Sequence, residues 1–580
     1  MIENRLPDSI NRWAWICLLA MACAVHLFSL TTAPLSPDEA SQALASLDVG
    51  SGIKVSATVN STLLQLGNML LFSVFGAGNG MARLLPSLAG IALVCIPLLW
   101  RRQLGDVGAL TAAVVLLFSP LILFASRRAE GTALSIAAVG CLFSALISER
   151  HHDKVYIHNN SILVMLGVCV GLLSGPAFYD MLVAGCLAAV AWYWLRREKI
   201  TWQHVIHWWQ PGLAGVGIAL LLSAGLGLRW GQWNGVMDGL ALWLASWAVF
   251  TDVSHIGALL LYEPLTILLA ALGMGYAWQK QAVVPRVVTF WALAVMLLVS
   301  VRGGASITST GAVVFGLAYL SGYGVGQISG TLLRSMSSWV VIHIVLGFIC
   351  LLPGLVGLTQ YANGLISPEQ PALVLSGIIV LLALQALLAF LFSAVLPAAI
   401  LWRSAFLGVA VMCFYIQTGF AVQLSFVRPT SPLEPAVMAA GSRDLFAFKQ
   451  MMADIAVQNG VREDRLMIAV VDTNPDITTI VRWTLRDYQQ LHITSAWPSD
   501  ADIATMDWVV IAPEDIDLRV VRSSAGWKGM RFTAIERYLA PIPGCQRTTT
   551  IDCSDWANWY AYRTSPYPQS PAGLVLWTNN

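Results

Sequence analysis

Phe426-Val-Arg-Pro-Thr-Ser-Pro-Leu-Glu-Pro435 divides the chain in two. Three prolines in ten residues cannot continue a helix, so the segment reads as a join. Residues 1–427 hold 19 Lys+Arg and 15 Asp+Glu, about 8% charged. Residues 428–580 hold 14 and 17, about 20%. Soluble domains carry roughly 25% charged residues. The first part is therefore a membrane region, and the second, with 153 residues, is a soluble domain large enough to bury a core. Over all 580 residues, 57% are hydrophobic and 11% charged, which excludes an ordinary cytosolic enzyme and a disordered chain. A net charge of +1 offers no electrostatic case for nucleic acid. Twenty-three tryptophans suit interfacial belts or ring binding.

Apolar runs of about 17–25 residues are long enough to span a bilayer. Thirteen occur, near 13–31, 82–100, 107–124, 132–147, 161–177, 179–195, 211–228, 256–277, 286–301, 311–328, 338–358, 373–398 and 404–424. A shorter stretch, 62–75, reads as an interfacial or re-entrant helix. The first run is followed by Leu35-Ser-Pro-Asp-Glu39, not by a small-residue cleavage site, so it reads as a retained helix. The predicted fold class is a polytopic α-helical membrane protein with a C-terminal extracytoplasmic α/β domain.

Orientation follows from the basic residues. With the N-terminus in the cytoplasm, thirteen basic residues of the membrane part fall inside. Six fall outside: Lys54, Arg83, Arg127, Arg128, Arg229 and Arg302. An odd number of crossings then puts residues 428–580 outside a cell (plasma or inner) membrane. Eight of ten cysteines lie in membrane runs. Cys545 and Cys553 lie in the outer domain, either as a disulfide or as thiols.

Outer cations work against the insertion rule. They either reach lipid headgroups or handle an anion, for which the planar guanidinium fork is suited. The first outer loop, within 32–81, carries Ser36-Pro37-Asp38-Glu39 at the start of a helical pattern. Ser36 or Asp38 can serve as the helix cap, with Pro37 in the first turn. Two adjacent carboxylates at a membrane surface also fit a general base or a divalent-cation site.

Four segments in order carry a resemblance: Pro34-Leu-Ser-Pro-Asp-Glu-Ala40, Leu71-Phe-Ser-Val-Phe-Gly76, Ala82-Arg-Leu-Leu-Pro-Ser-Leu-Ala-Gly90 and Leu117-Phe-Ser-Pro-Leu-Ile-Leu-Phe-Ala-Ser-Arg-Arg-Ala-Glu-Gly131. Together they resemble the GT-C superfamily of membrane glycosyltransferases, in its protein O-mannosyltransferase and aminoarabinose-transferase branch. Tyr262-Glu263-Pro264 and Arg482-Trp-Thr-Leu-Arg-Asp-Tyr488 are similar to a prokaryotic branch associated with handling or flipping lipid-linked sugars. The resemblance implies transfer of a sugar from a polyprenyl-phosphate carrier to a protein, lipid or glycan acceptor at the outer face.

The same resemblance implies roles. Asp38 falls on the acidic position expected of the base, and Glu39 would orient the acceptor or support a metal. Arg83, Arg127, Arg128 and Arg302 would hold the donor phosphate, Arg302 beside Gly303 and Gly304. Glu130, Tyr262 and Glu263 would support the site. Many relatives carry a second aspartate where Thr132 stands here, and the local acid is Glu130. A metal bridge between the two loops therefore stays open. A divalent cation is the only cofactor under consideration. Glu263 reads either as a protonated carboxyl inside an apolar helix or as a site residue.

The stretch Arg229 to Asp252, with four tryptophans, reads as an interfacial helix or a lid. His204 and His207 lack a third metal ligand and read as interfacial. The outer domain alternates helix-like 443–459 and 476–490 with strand-like 465–472 and 507–512, which predicts an α/β layer with a parallel sheet. It shows no glycine-rich phosphate loop. The aromatic run 552–563 reads as an edge strand or a glycan contact. The competing functions are a transporter or flippase for lipid-linked sugars, which would show internal repeats, and a non-catalytic scaffold.

Overall fold

Ser36 opens the helix that follows the first apolar run through a capping box. Its backbone N–H donates to Glu39 Oε2 at 2.9 Å, and its Oγ accepts from Glu39 N at 3.3 Å. The computed structural model describes residues 8–51, 60–148, 154–196, 202–224, 235–249, 254–334, 337–362, 371–498, 509–515, 527–537 and 571–579. The tryptophan pair at 230 and 233, Cys545, Cys553 and the run 552–563 lie outside the described residues.

The N-terminal elements are α1 (Asp8–Leu27), α2 (Pro37–Ser51), α3 (Thr62–Phe75), α4 (Asn79–Cys95), α5 (Arg101–Leu117), α6 (Pro120–Ser126) and α7 (Thr132–Ser148). Helices α2 and α3 form the connection between α1 and α4. Pro86 sits inside α4 and leaves the carbonyl of Ala82 without its helical donor. Asn68 of α3, fully buried, donates to that oxygen at 3.4 Å, so α4 and α3 are tied together.

Each of the thirteen apolar runs overlaps a helix. By length and apolarity, six described helices can cross a membrane, seven if the bent pair His255–Tyr262 and Pro264–Gln279 counts as one span. That pair meets at 95°. Glu263 stands at the break and not inside a continuous helix, because Pro264 disfavours helical geometry at the residue before it.

Helix Gly311–Arg334 is the centre of the body, with 89% of its apolar window buried. Glycines let it approach two neighbours backbone to backbone. A Cβ on Gly108 of α5 would lie 2.6 Å from Gly322 O, and one on Gly273 would lie 2.0 Å from Leu320 O. Trp100 fills the adjacent core edge-on to Phe143, Phe315 and Tyr319, and its indole N–H donates to Ser144 Oγ at 3.0 Å.

After helix Ala398–Val422 and a π-turn, Gln423–Val427, the proline-rich join leads into the C-terminal domain. Its strands are β1 (Ala439–Gly441), β2 (Ile468–Val471), β3 (Leu491–Thr494), β4 (Val509–Pro513), β5 (Trp527–Arg537) and β6 (Ala572–Asn579). They form one sheet in the order β1-β5-β6-β4-β2-β3. β2 pairs in parallel with β3 and β4, whereas β4–β6, β5–β6 and β1–β5 are antiparallel. The sheet is thus mixed, not parallel throughout. The expected parallel half comes from the alternation around β2, which is buried at every residue.

The domain sits on the side of the body where α1 ends and α4 begins. Trp483 of helix Pro475–Thr484 donates to Asn79 Oδ1 at 2.8 Å and packs on Phe72. Arg486 donates to Ala77 O at 2.9 Å and stacks over Trp483. Gly441 lets β1 meet the 34–35 segment, since a Cβ there would lie 2.4 Å from Leu35 O.

Candidate active site

The acidic pair splits into two roles because adjacent residues on a helix point in different directions. Glu39 is 1% exposed, and both its oxygens are occupied. Oε1 accepts from Arg83 Nε at 2.8 Å and from Ala129 N at 2.7 Å. Oε2 accepts from Arg83 Nη2 at 2.9 Å and from Ser36 N. Burial acts to raise its pKa, but Arg83 and Arg128 overcome it and hold the carboxyl at about 2. Arg83 also donates to the carbonyls of Leu30, Ala33 and Pro34, so its guanidinium is fully committed. Glu39 and Arg83 fix the shape of the connection between α1 and α4.

Asp38 is exposed and makes no hydrogen bond to any described residue. Partial burial raises its pKa; Arg128 opposes this, while Asp476 and Glu39 push it higher. A carboxylate that is exposed, has no hydrogen-bond partner among the described residues and has its pKa raised has the properties of a general base. Asp476 comes from the helix Pro475–Thr484 of the C-terminal domain, so both parts of the chain act on Asp38.

Arg127 and Arg128 follow α6. Arg127 is 8% exposed. It donates to Val25 O at 2.9 Å and Ser29 O at 3.3 Å, at the end of α1, and lies 4.4 Å over the ring of Phe426. It has no carboxylate partner among the described residues. Burial and the neighbouring Arg83 lower its pKa to about 10, so it remains a cation at neutral pH. Arg128 donates to Glu130 Oε1 at 2.8 Å and to Ser36 Oγ at 2.6 Å. Glu130 has its pKa raised by burial, with Arg128 opposing.

A recess opens here, lined by Ser36, Glu39, Arg83, Arg127, Arg128 and Thr430 among others. Of its three arginines, Arg83 is paired with Glu39 and Arg128 with Glu130, and Arg127 has no carboxylate partner among the described residues. The arrangement suits an anion with several acceptor oxygens. It does not fit a divalent cation at the acidic pair, because Glu39 is saturated by donors and turned from Asp38. Among the described residues no group of three His, Cys, Asp or Glu is placed to hold a metal.

Six of the nine sequence-predicted residues therefore converge: Asp38, Glu39, Arg83, Arg127, Arg128 and Glu130. Three do not. Arg302 is 2% exposed and pairs bidentately with Asp180, Nη2 to Oδ2 at 2.6 Å and Nε to Oδ1 at 3.1 Å. Ser246 and Trp243 complete that cluster. Tyr262 donates to Glu434 at 2.8 Å. Glu263 accepts from Ser119 Oγ, from Thr266 Oγ1 at 2.7 Å and from Leu121 N at 3.3 Å, which caps the start of α6. Sequence reasoning missed Asp476, Ser36 as a partner of Arg128, and Thr430. The capping-box spacing Ser36-x-x-Glu39 is the signal that would have separated Glu39 from Asp38.

No protein-family model matches the chain, and no curated protein matches it. Among solved structures, the chain is similar to ArnT from Cupriavidus metallidurans. Against ArnT in the apo state the TM-score is 0.56, with 14% identity over 98% of each chain. Against ArnT bound to undecaprenyl phosphate it is 0.55, with 15% identity over 92% of this chain and 100% of the other. The chain therefore shares the fold of ArnT. In this body, Asp38, the arginine recess and the C-terminal sheet all occupy the side on which α1 ends.

Proposed function

We propose that the protein is an integral-membrane glycosyltransferase that moves a sugar from a polyprenyl-phosphate carrier to an acceptor at the outer face of the cell membrane. The observation that carries this is the arginine-lined recess beside the unpaired carboxylate of Asp38. The ArnT structure with undecaprenyl phosphate supports a lipid phosphate as ligand for this fold. In this reading all thirteen helical runs cross the bilayer, the N-terminus is cytoplasmic and residues 428–580 lie outside.

Asp38 takes the proton of the acceptor hydroxyl as its oxygen bonds to the anomeric carbon. The bond from that carbon to the carrier phosphate breaks, and the phosphate leaves with the electron pair. Arg127 and Arg128 stabilise the developing phosphate charge in a partly desolvated site, where such donors act most strongly. The sugar is a hexose or pentose, and the acceptor is a protein, lipid or glycan.

The test uses full-length protein in detergent with undecaprenyl-phosphate hexose or pentose labelled in the sugar, and candidate acceptors. Acceptor-dependent release of undecaprenyl phosphate, lost in Asp38→Asn, is the expected result. Full transfer by Asp38→Asn would remove the proposed base. In proteoliposomes, movement of labelled carrier between leaflets without phosphate release would establish a flippase instead.

A further inference from the structure

Glu130 stands between Arg128 and the loop that follows helix Val283–Val301. One oxygen accepts from Arg128 Nε at 2.8 Å, and the other accepts from Thr308 Oγ1 at 3.0 Å. Thr308 is 3% exposed, and its hydroxyl lies 2.8 Å from Ser306 Oγ and 3.2 Å from Thr132 Oγ1. A hydroxyl has one proton and two lone pairs. With the proton given to Glu130 and the lone pairs taken by Ser306 and Thr132, Thr308 is fully used and has one orientation. The loop is tied at its beginning by Arg302 to Asp180 and by Gly304 N to Ser246 O at 2.9 Å.

Arg128 is held at Ser36 Oγ just before α2, at Glu39 4.0 Å away, and at Glu130 on its own turn. The third of these is braced by Thr308 from the loop after helix Val283–Val301. We propose that Thr308 is a positioning residue that aims Arg128 by fixing the carboxylate of Glu130. The consequence for sugar transfer rests on the proposed function; the placement of Arg128 does not.

The experiment compares the full-length wild type with Thr308→Val, which keeps the shape and loses the hydroxyl, and Thr308→Ser, which keeps the hydroxyl. Each is treated with phenylglyoxal, and modification of Arg128 and Arg83 is followed by peptide mass spectrometry. Losing a hydrogen bond to a charged group should raise the Arg128 rate on the order of tenfold in Thr308→Val. Arg83 should be unchanged, and Thr308→Ser should match the wild type. Glu130→Gln, which weakens the same link from its other end, should act like Thr308→Val and serves if that variant does not fold. Where the wild type transfers sugar, kcat should fall on the order of tenfold or more with KM for the acceptor unmoved, and the serine should restore it. An unchanged Arg128 rate, or an equal rise at Arg83, overturns the proposal. A wild type that transfers no sugar overturns the proposed function alone, and the Arg128 labelling still decides this one.

Discussion

Glu39 and Arg83 meet fork to fork, 2.8 Å from Nε to Oε1 and 2.9 Å from Nη2 to Oε2, across 44 residues of sequence. Neither group has a hydrogen-bonding position left for a substrate. The pair closes the loop between the first two long helices and leaves Asp38, its neighbour, as the free carboxylate.

Removing one partner of this pair should cost roughly 3–5 kcal/mol, because the other charge is left buried. Glu39→Ala and Arg83→Ala should both lower the thermal midpoint in detergent, whereas Asp38→Asn should not. The pair also sets an acid limit. The folded pKa of Glu39 is about 2 and its ordinary value is 4.5. Its contribution is complete above the ordinary value and is lost as pH falls through the folded one. Unfolding followed against pH should show wild type weakening between those values and Glu39→Ala doing so less.

Asp38→Asn should reduce kcat on the order of 10²–10⁴-fold with little change in carrier binding. The rate of the wild type should fall on acidification at a pH above the ordinary aspartate value, because the base works only when ionised and its pKa is raised. Asp476→Asn removes a negative neighbour, eases ionisation of Asp38 and should move that acid limb to lower pH. A limb that stays in place would separate Asp476 from the site.

Arg127→Met should weaken carrier binding on the order of tenfold to a hundredfold, as expected for losing a charged donor. Native mass spectrometry with undecaprenyl phosphate measures this directly. Neutral undecaprenol should bind wild type and variant alike, since it lacks the charge that Arg127 meets.

Arg302→Met should behave differently. Its guanidinium is occupied by Asp180, so the variant should unfold more readily, by roughly 3–5 kcal/mol, as the aspartate loses its partner. The folded fraction should keep wild-type affinity for undecaprenyl phosphate. Asp180→Asn should destabilise the protein in the same direction.

The long apolar helices were legible because they depend on local composition. Apolar runs of bilayer length and a change in charge density need no knowledge of partners. The site was legible where its residues follow one another closely, as Asp38, Glu39, Arg127, Arg128 and Glu130 do. The pairing of Arg302 was not legible, because Asp180 lies 122 residues earlier and nothing local announces it. Glu263 looked like a carboxyl in mid-helix because the run around it is apolar throughout; only Pro264 hinted at the 95° break. The antiparallel half of the sheet was hidden for the same reason as Arg302. β5 and β6 acquire their order from pairing with each other and with β1 and β4, over separations that single-sequence patterns do not encode.

The recess takes one wall from Ser29 and Thr32 and another from Thr430 and Ala440. Four hundred residues of synthesis separate those walls. A nascent chain whose last membrane helix has not yet emerged has its cluster of arginines but not the chamber around them. The recess therefore acquires its full lining only once the chain has been made as far as Ala440. The order of synthesis alone keeps it incomplete in a half-made protein.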